Sequence, residues 1–137
     1  THNNFVFVGG KIGFDKSNIF KLGRVSEGQL IWLYKNCKFV VSIGKEDLGL
    51  VPAEAASFGK PSLGLRGFGA EEVIIDGVSG VLCDMNLESV QEGILALEKN
   101  AFIKSEIISS ISKFHLLRKF CICGLFQVSL AVTIITL

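Results

Sequence analysis

The chain has 137 residues, one domain by size, and 49% of them are apolar. Lys and Arg number 14 against 13 Asp and Glu, which leaves no basic field and excludes nucleic acid as an expected partner. Of the four Cys (37, 83, 121 and 123), none forms a metal-ligand spacing with His2 or His115, and Cys121-Ile122-Cys123 lacks the C-x-x-C redox spacing; the thiols therefore read as reduced core residues of a cytoplasmic protein, with no metal and no cofactor.

Phe5–Val8, closed by Gly9-Gly10, reads as a core strand, and residues 11–16 as a polar connection to a second strand at Ile19–Gly23. Ser26 is a good N-cap, and Gln29 three positions on completes a capping box. Leu30, Leu33, Tyr34 and Cys37 then recur at helical spacing, and the apolar run 39–43 reads as a buried strand. Residues 52–58 follow as a helix with Pro52 in its first position and Gly59 as its stop. The pattern continues with a strand over 61–65, a glycine-rich loop over 66–70 and a short helix over 71–75. A strand at Gly80–Cys83 and a helix at Leu87–Lys99, capped near Asn86, complete it. Strand and helix alternating through short links predict an α/β fold with a Rossmann-like parallel sheet and flanking helices across about residues 5–99. Ligands of such sheets bind off the carboxyl ends of the strands, and the loops after 43 and after 65 share that rim.

The end of the chain has a different character. Residues 101–119 can form an amphipathic helix, and residues 120–137 carry no charge. That apolar stretch is at the lower limit for a membrane-spanning helix, and Arg118-Lys119 would be its cytoplasmic flank. Gln127, Ser129 and the β-branched run Val132-Thr133-Ile134-Ile135-Thr136 oppose that reading and are strand-like. A membrane anchor and an unselected product of a lost reading frame both fit, so the expected organisation is a domain over 1–115 and an apolar tail over 116–137.

The most informative stretch is Glu46-Asp47-Leu48-Gly49-Leu50-Val51-Pro52-Ala53-Glu54. It places two carboxylates on either side of a strand-to-helix junction. With Pro52 first in the helix, Val51 is its cap, and Val has no side-chain oxygen with which to cap. The N–H groups of Ala53 and Glu54 are then without internal partners, and backbone donors with the helix dipole favour an anion there. Flanking carboxylates suit a ligand with hydroxyls as well as phosphates, such as a nucleotide sugar. The dipole alone favours an acidic residue in a first turn by about 0.3–1 kcal/mol, so a structural Glu54 is the alternative.

These residues resemble the E-x7-E motif of the retaining glycosyltransferases of family 4, the glycosyl transferase group 1. Leu22-Gly23-Arg24-Val25-Ser26, with Leu30 and Leu33-Tyr34, resembles the family's L-G-R-V-S…L…L-Y segment. Ala53-Glu54-Ala55-Ala56-Ser57-Phe58-Gly59-Lys60-Pro61 is similar to E-A-x-A-x-G-x-P. Gly67-Phe68-Gly69-Ala70-Glu71-Glu72-Val73 and Asp76-Gly77-Val78-Ser79-Gly80 resemble G-G-x-x-E-x-V…D-G-x-x-G, with Phe68 where the family usually has Gly. Four motifs in the family's order cover about residues 5–99.

The resemblance implies the partial C-terminal, donor-binding half of a GT-B glycosyltransferase. It implies transfer of a hexosyl group from a nucleotide-diphosphate sugar, UDP- or GDP-linked, to an acceptor hydroxyl with retention and without a metal. Glu46 would be the catalytic residue, on hydroxyls of the transferred sugar. Gly49, Leu50 and Val51 would present backbone to the phosphates and base, Glu54 would hold the ribose diol, and Gly67 and Gly69 would let backbone approach the donor. Glu72 would brace the second loop, and Arg66 and Lys60 are the cations expected near the rim. The L-R-G-x-G-A-x-E flavour is similar to the mannosyltransferase branch. The acceptor, a glycan or lipid, would be held by a first domain outside the resemblance, so the chain is expected to be a fragment, inactive alone. The alternatives are a non-catalytic nucleotide-binding module and an inactive truncated remnant.

Overall fold

The computed structural model describes residues 3–9, 13, 15–45, 47–112 and 133–136. Its elements are β1 (Phe5–Val8), β2 (Ile19–Gly23), α1 (Glu27–Asn36), β3 (Phe39–Ser42), α2 (Leu50–Ser57), β4 (Ser62–Leu65), α3 (Gly69–Val73), β5 (Gly80–Cys83), α4 (Leu87–Lys99), α5 (Lys104–Ser110) and β6 (Thr133–Thr136). The strands form one six-stranded sheet in the order β2-β1-β6-β3-β4-β5.

The capping chemistry read from the sequence is in place. Ser26 Oγ accepts from Gln29 N–H while the Gln29 side chain accepts from Ser26 N–H, closing the capping box at the start of α1. Asn86 Oδ1 accepts from Ser89 N–H at 2.8 Å and starts α4.

Alternation along β3 and β4 builds a core on each face of the sheet. Phe39, Val41, Leu63 and Leu65 pack on one face with Cys83 and Leu97, joined by the half-buried Val90 and Ile94 of α4. On the other, Val6, Val8 and Val40 pack under Leu33 and Tyr34 of α1, Cys37 just after it, and Val51 and Ala55 of α2. α2, α3 and α5 meet through Ala53, Ala56, Val73, Ile107 and Ile111. Full burial of a side chain such as Leu97 contributes about 1.5–3 kcal/mol. Cys37 and Cys83 are both buried, unbridged core thiols; Cys121 and Cys123 lie outside the described residues.

The expected parallel sheet is present as two blocks, β2 with β1 and β3-β4-β5, each internally parallel. Between them β6 runs antiparallel to both neighbours, Ile135 standing opposite Val6 on one side and Val40 on the other. The order matches the doubly wound 3-2-1-4-5-6 arrangement with β6 in the first place. A strand joined to its neighbour by a crossover is held parallel. β6 has no such link to β1 or β3, so its direction is not constrained. The strand-like residues at the end of the chain are therefore paired into the centre of the sheet.

Of the expected amphipathic helix over 101–119, α5 forms at Lys104–Ser110; residues 113–132, which hold most of the expected membrane span, lie outside the described residues. Among the described residues no helix is long and apolar enough to cross a membrane. At the sheet's edge, Asp76 Oδ1 accepts from Leu82 N–H at 3.0 Å and Arg66 donates to the Leu82 carbonyl at 3.1 Å. Arg66 also pairs with Asp76 at 3.2 Å, so two side chains occupy outward backbone groups of the edge strand β5.

Candidate functional site at the carboxyl rim of the sheet

In a doubly wound sheet the ligand crevice opens where the strand order reverses, outside the carboxyl ends of the strands. Here that point is the end of β3 beside β6, and the chain leaving it is the loop to α2. Glu46 itself lies outside the described residues.

α2 begins earlier than the sequence suggests. Gly49, at φ 61° and ψ 38°, is the N-cap, and Leu50, Val51 and Pro52 form the first turn. The expectation of Val51 as cap and Pro52 as first helical residue is thus corrected by two positions. Pro52 fits inside the first turn because an N–H there has no partner within the helix in any case. Ala53 N–H, expected to point outward, instead donates to the Gly49 carbonyl at 3.2 Å and closes the turn. The helix-start donors therefore belong to Gly49, Leu50 and Val51. Among the described residues no side chain caps this end.

The second loop has a similar shift. α3 starts at Gly69, with Phe68 as a cap that makes no side-chain hydrogen bond. Gly67, at φ 81°, turns the chain into it. Its N–H donates to Glu71 Oε2 at 2.8 Å. The brace is Glu71 and not Glu72, because a start at 69 puts residue 71 in the third helical position, from which a side chain reaches back over the helix end. Glu72 is exposed.

The two loops touch backbone to backbone. A Cβ on Gly49 would lie 2.5 Å from the Gly69 carbonyl oxygen, and one on Gly69 would lie 2.5 Å from the nitrogens of Leu48 and Gly49. Only glycines permit this approach, and it joins both motifs into a single wall. At Gly69, then, it is the first loop that comes close. Gly67 is open, with nothing within 4 Å of a Cβ position. Ile43 and Leu48 expose apolar surface beside this wall, Leu48 to 66%.

Glu54 sits in the second turn of α2, 8% exposed. The Tyr34 hydroxyl donates to its Oε2 at 2.7 Å. Tyr34 is itself buried, and its ring stacks on Phe58 with centroids 5.4 Å apart. Sequence reasoning placed Tyr34 only in the core face of α1; twenty residues separate it from Glu54, and no periodicity links positions on two helices. Of the two cations expected at the rim, Arg66 is there, tied to Asp76 and Leu82. Lys60 precedes β4 and stands near Cys37 before β3, so it lies at the amino ends of the strands, away from the site. Burial pushes the Cys37 thiol up to about 11, against the pull of Lys60. Among the described residues no group of three or more His, Cys, Asp or Glu is placed to hold a metal ion.

Comparison with known proteins bears on the family and the fold. The chain is 30% identical over 118 residues to the uncharacterized glycosyltransferase MJ1178 of Methanocaldococcus jannaschii, covering 82% of the chain and 33% of that protein. Its fold is similar to Anabaena HepE in complex with UDP-glucose, with TM-score 0.59, 22% identity, and coverage of 80% of this chain and 32% of that one. HepE in complex with UDP and glucose gives TM-score 0.60 at 21% identity, with the same coverage. The chain thus spans about a third of the length of these relatives. Residues 15–113 match the family model of the glycosyl transferases group 1, and the motifs that form the wall lie inside that match: the chain belongs to this family.

Proposed function

We propose that this chain supplies the donor-binding half of a retaining, metal-independent glycosyltransferase that transfers a sugar from a nucleotide diphosphate to an acceptor hydroxyl. The observation that carries the reading is the start of α2, an uncapped helix end at the sheet's switch point with Glu54 one turn inside it. The complexes of HepE with UDP and UDP-glucose make UDP the first nucleotide to test; a GDP-sugar is the alternative donor. Two buried, unbridged thiols support a reducing, cytoplasmic setting.

In this reading the N–H groups of Gly49, Leu50 and Val51 face the diphosphate. Negative charge grows on that group as the bond to the anomeric carbon breaks, so fixed donors and the helix dipole stabilise the transition state more than the ground state. Gly67 and Gly69 complete the wall on the far side. Glu54 accepts both hydroxyl protons of the ribose, which a carboxylate can do because it is acceptor-only. Glu46 acts on hydroxyls of the transferred sugar, as the catalytic residue. The acceptor, a glycan or lipid, would be bound by a further domain.

Titration with UDP and UDP-glucose tests this. Glu54→Gln keeps shape and helix position but turns one acceptor into a donor. Losing a hydrogen bond to a charged group costs about 1.5–3 kcal/mol, so UDP affinity should fall about tenfold or more. Glu46→Gln should leave UDP affinity unchanged and weaken only the extra affinity conferred by glucose. Equal, small effects from both would refute the assignment. A site that binds UDP and UDP-glucose alike, with Glu46→Gln silent on both, would identify a nucleotide-binding module instead.

A further inference from the structure

Among the described residues Glu54 is the one charged side chain that is buried. A carboxylate taken out of water is costly unless it is hydrogen-bonded, and its three side-chain torsions leave its oxygens without a fixed direction unless something holds them. The Tyr34 hydroxyl is such a holder. It is anchored by its own surroundings: the ring is 2% exposed, packed among Leu33, Val51 and Ala55, and stacked on Phe58 with an interplanar angle of 14°. Glu54 and Phe58 are four apart along α2 and its carboxyl end, so they share a helix face. Tyr34 crosses from α1 over both of them, stacked on one and donating to the other. A rigid aromatic donor with two torsions therefore fixes the plane of a flexible carboxylate at the site.

Resting on the functional reading above, we propose that Tyr34 is a positioning residue that orients the Glu54 carboxylate toward the two hydroxyls of a ribose. A diol presents two donors at fixed separation, and a carboxylate accepts both only when its plane is aligned with them. Donation from Tyr34 to Oε2 restrains rotation of the carboxylate about its last torsion. The role belongs to a nucleotide with an intact 2′,3′-diol; a 2′-deoxynucleotide has nothing for the second carboxylate oxygen to accept.

The experiment compares the affinities of the full chain for UDP and for 2′-deoxy-UDP, in wild type, Tyr34→Phe, Phe58→Leu and Glu54→Gln. Wild type is expected to prefer UDP by about tenfold, the value of one hydrogen bond to a charged group. Tyr34→Phe keeps the ring and its stacking, and is expected to reduce that preference to less than about threefold with the 2′-deoxy-UDP affinity little changed. Phe58→Leu leaves the hydroxyl but loosens the ring, and is expected to narrow the preference part of the way. It also serves if Tyr34→Phe does not fold. A merely structural Tyr34 would lower both affinities in parallel and keep the preference, which overturns the proposal. If Glu54→Gln abolishes the preference while Tyr34→Phe retains it, the diol reading of Glu54 stands and the positioning role falls. A wild type without any preference overturns both.

Discussion

Gly69→Ala tests whether the two motif loops depend on direct backbone contact. The added Cβ would stand 2.5 Å from the carbonyl carbon of Asp47 and from the nitrogens of Leu48 and Gly49. Carbon contacts are comfortable only from about 3.5 Å, so the loops must separate by about 1 Å. Backbone lies on both sides, so no side chain can swing away to relieve the clash. Overpacking of this kind costs about 1–3 kcal/mol, and a rigid contact belongs at the upper end. For a chain of this size that corresponds to roughly 8–12 °C in melting temperature. Two glycine positions serve as controls. Gly67 has open space around it but φ of 81°, so Gly67→Ala should cost only the left-handed strain of about 1–2 kcal/mol. Gly28, inside α1, has neither a neighbour within 4 Å nor a positive φ, and Gly28→Ala should stabilise by about 0.5–1 kcal/mol. Thermal unfolding followed by circular dichroism should rank the melting temperatures Gly28→Ala, wild type, Gly67→Ala, Gly69→Ala, from highest to lowest. UDP affinity should fall for Gly69→Ala, because α2 begins at the displaced residue. If Gly69→Ala melts with wild type or above Gly67→Ala, the contact does not hold the wall together.

Two further predictions concern the core. The Cys37 thiol is held protonated by burial, its pKa raised from 9.0 to about 11, so the folded chain keeps a proton that the unfolded chain releases. Its contribution is fully present below pH 9 and is lost as pH rises to 11, at about 1.4 kcal/mol per pH unit; denaturant melts of wild type should show a decline over that window that is absent from Cys37→Ala, and parallel curves would refute it. Thr136 is fully buried in the centre of the sheet and among the described residues its hydroxyl has no hydrogen-bond partner, while its carbonyl accepts from Lys38 N–H at 2.7 Å. Thr136→Val keeps that backbone bond and removes the orphan hydroxyl, so the midpoint of denaturation should rise by the equivalent of about 1 kcal/mol; a lower midpoint would place a partner on that hydroxyl.

Local signals in the sequence were reliable where chemistry is local. Ser26 with Gln29, and Asn86, mark helix starts through their own side chains, and both caps form as the pattern requires. The starts of α2 and α3 each lie two residues before the positions the sequence pattern suggests, for one reason. Gly49 and Phe68 contribute no capping side chain, so the local markers of a helix start fall on Pro52, favoured in a first turn, and on the acidic Glu71. What sets these starts is the contact between Gly49 and Gly69, which joins two loops 20 residues apart in the chain. The partnership of Tyr34 with Glu54 was equally invisible, since Tyr34 looks like any core residue of an amphipathic helix until α1 and α2 are laid side by side. The motifs therefore gave the rim, and tertiary contact gave its shape.

The position of β6 connects the fold to the site. β6 and β3 flank the point where the order reverses, and β6 supplies the backbone partners that β1 and β3 would otherwise lack. It enters antiparallel, so its carboxyl end points away from the rim that the parallel strands share. A parallel strand in that place would deliver its following loop to the rim, beside the start of α2; antiparallel β6 turns its amino end to the rim instead. Among the described residues the wall formed at Gly49 and Gly69 comes from the β3-β4-β5 block, whose strands pair in parallel and whose crossovers α2 and α3 begin at the rim. That block is self-sufficient in register, from Val40 opposite Ser62 to Leu65 opposite Cys83. Among the described residues the wall thus rests on contacts internal to one half of the sheet, with Tyr34 reaching over from α1 to Glu54.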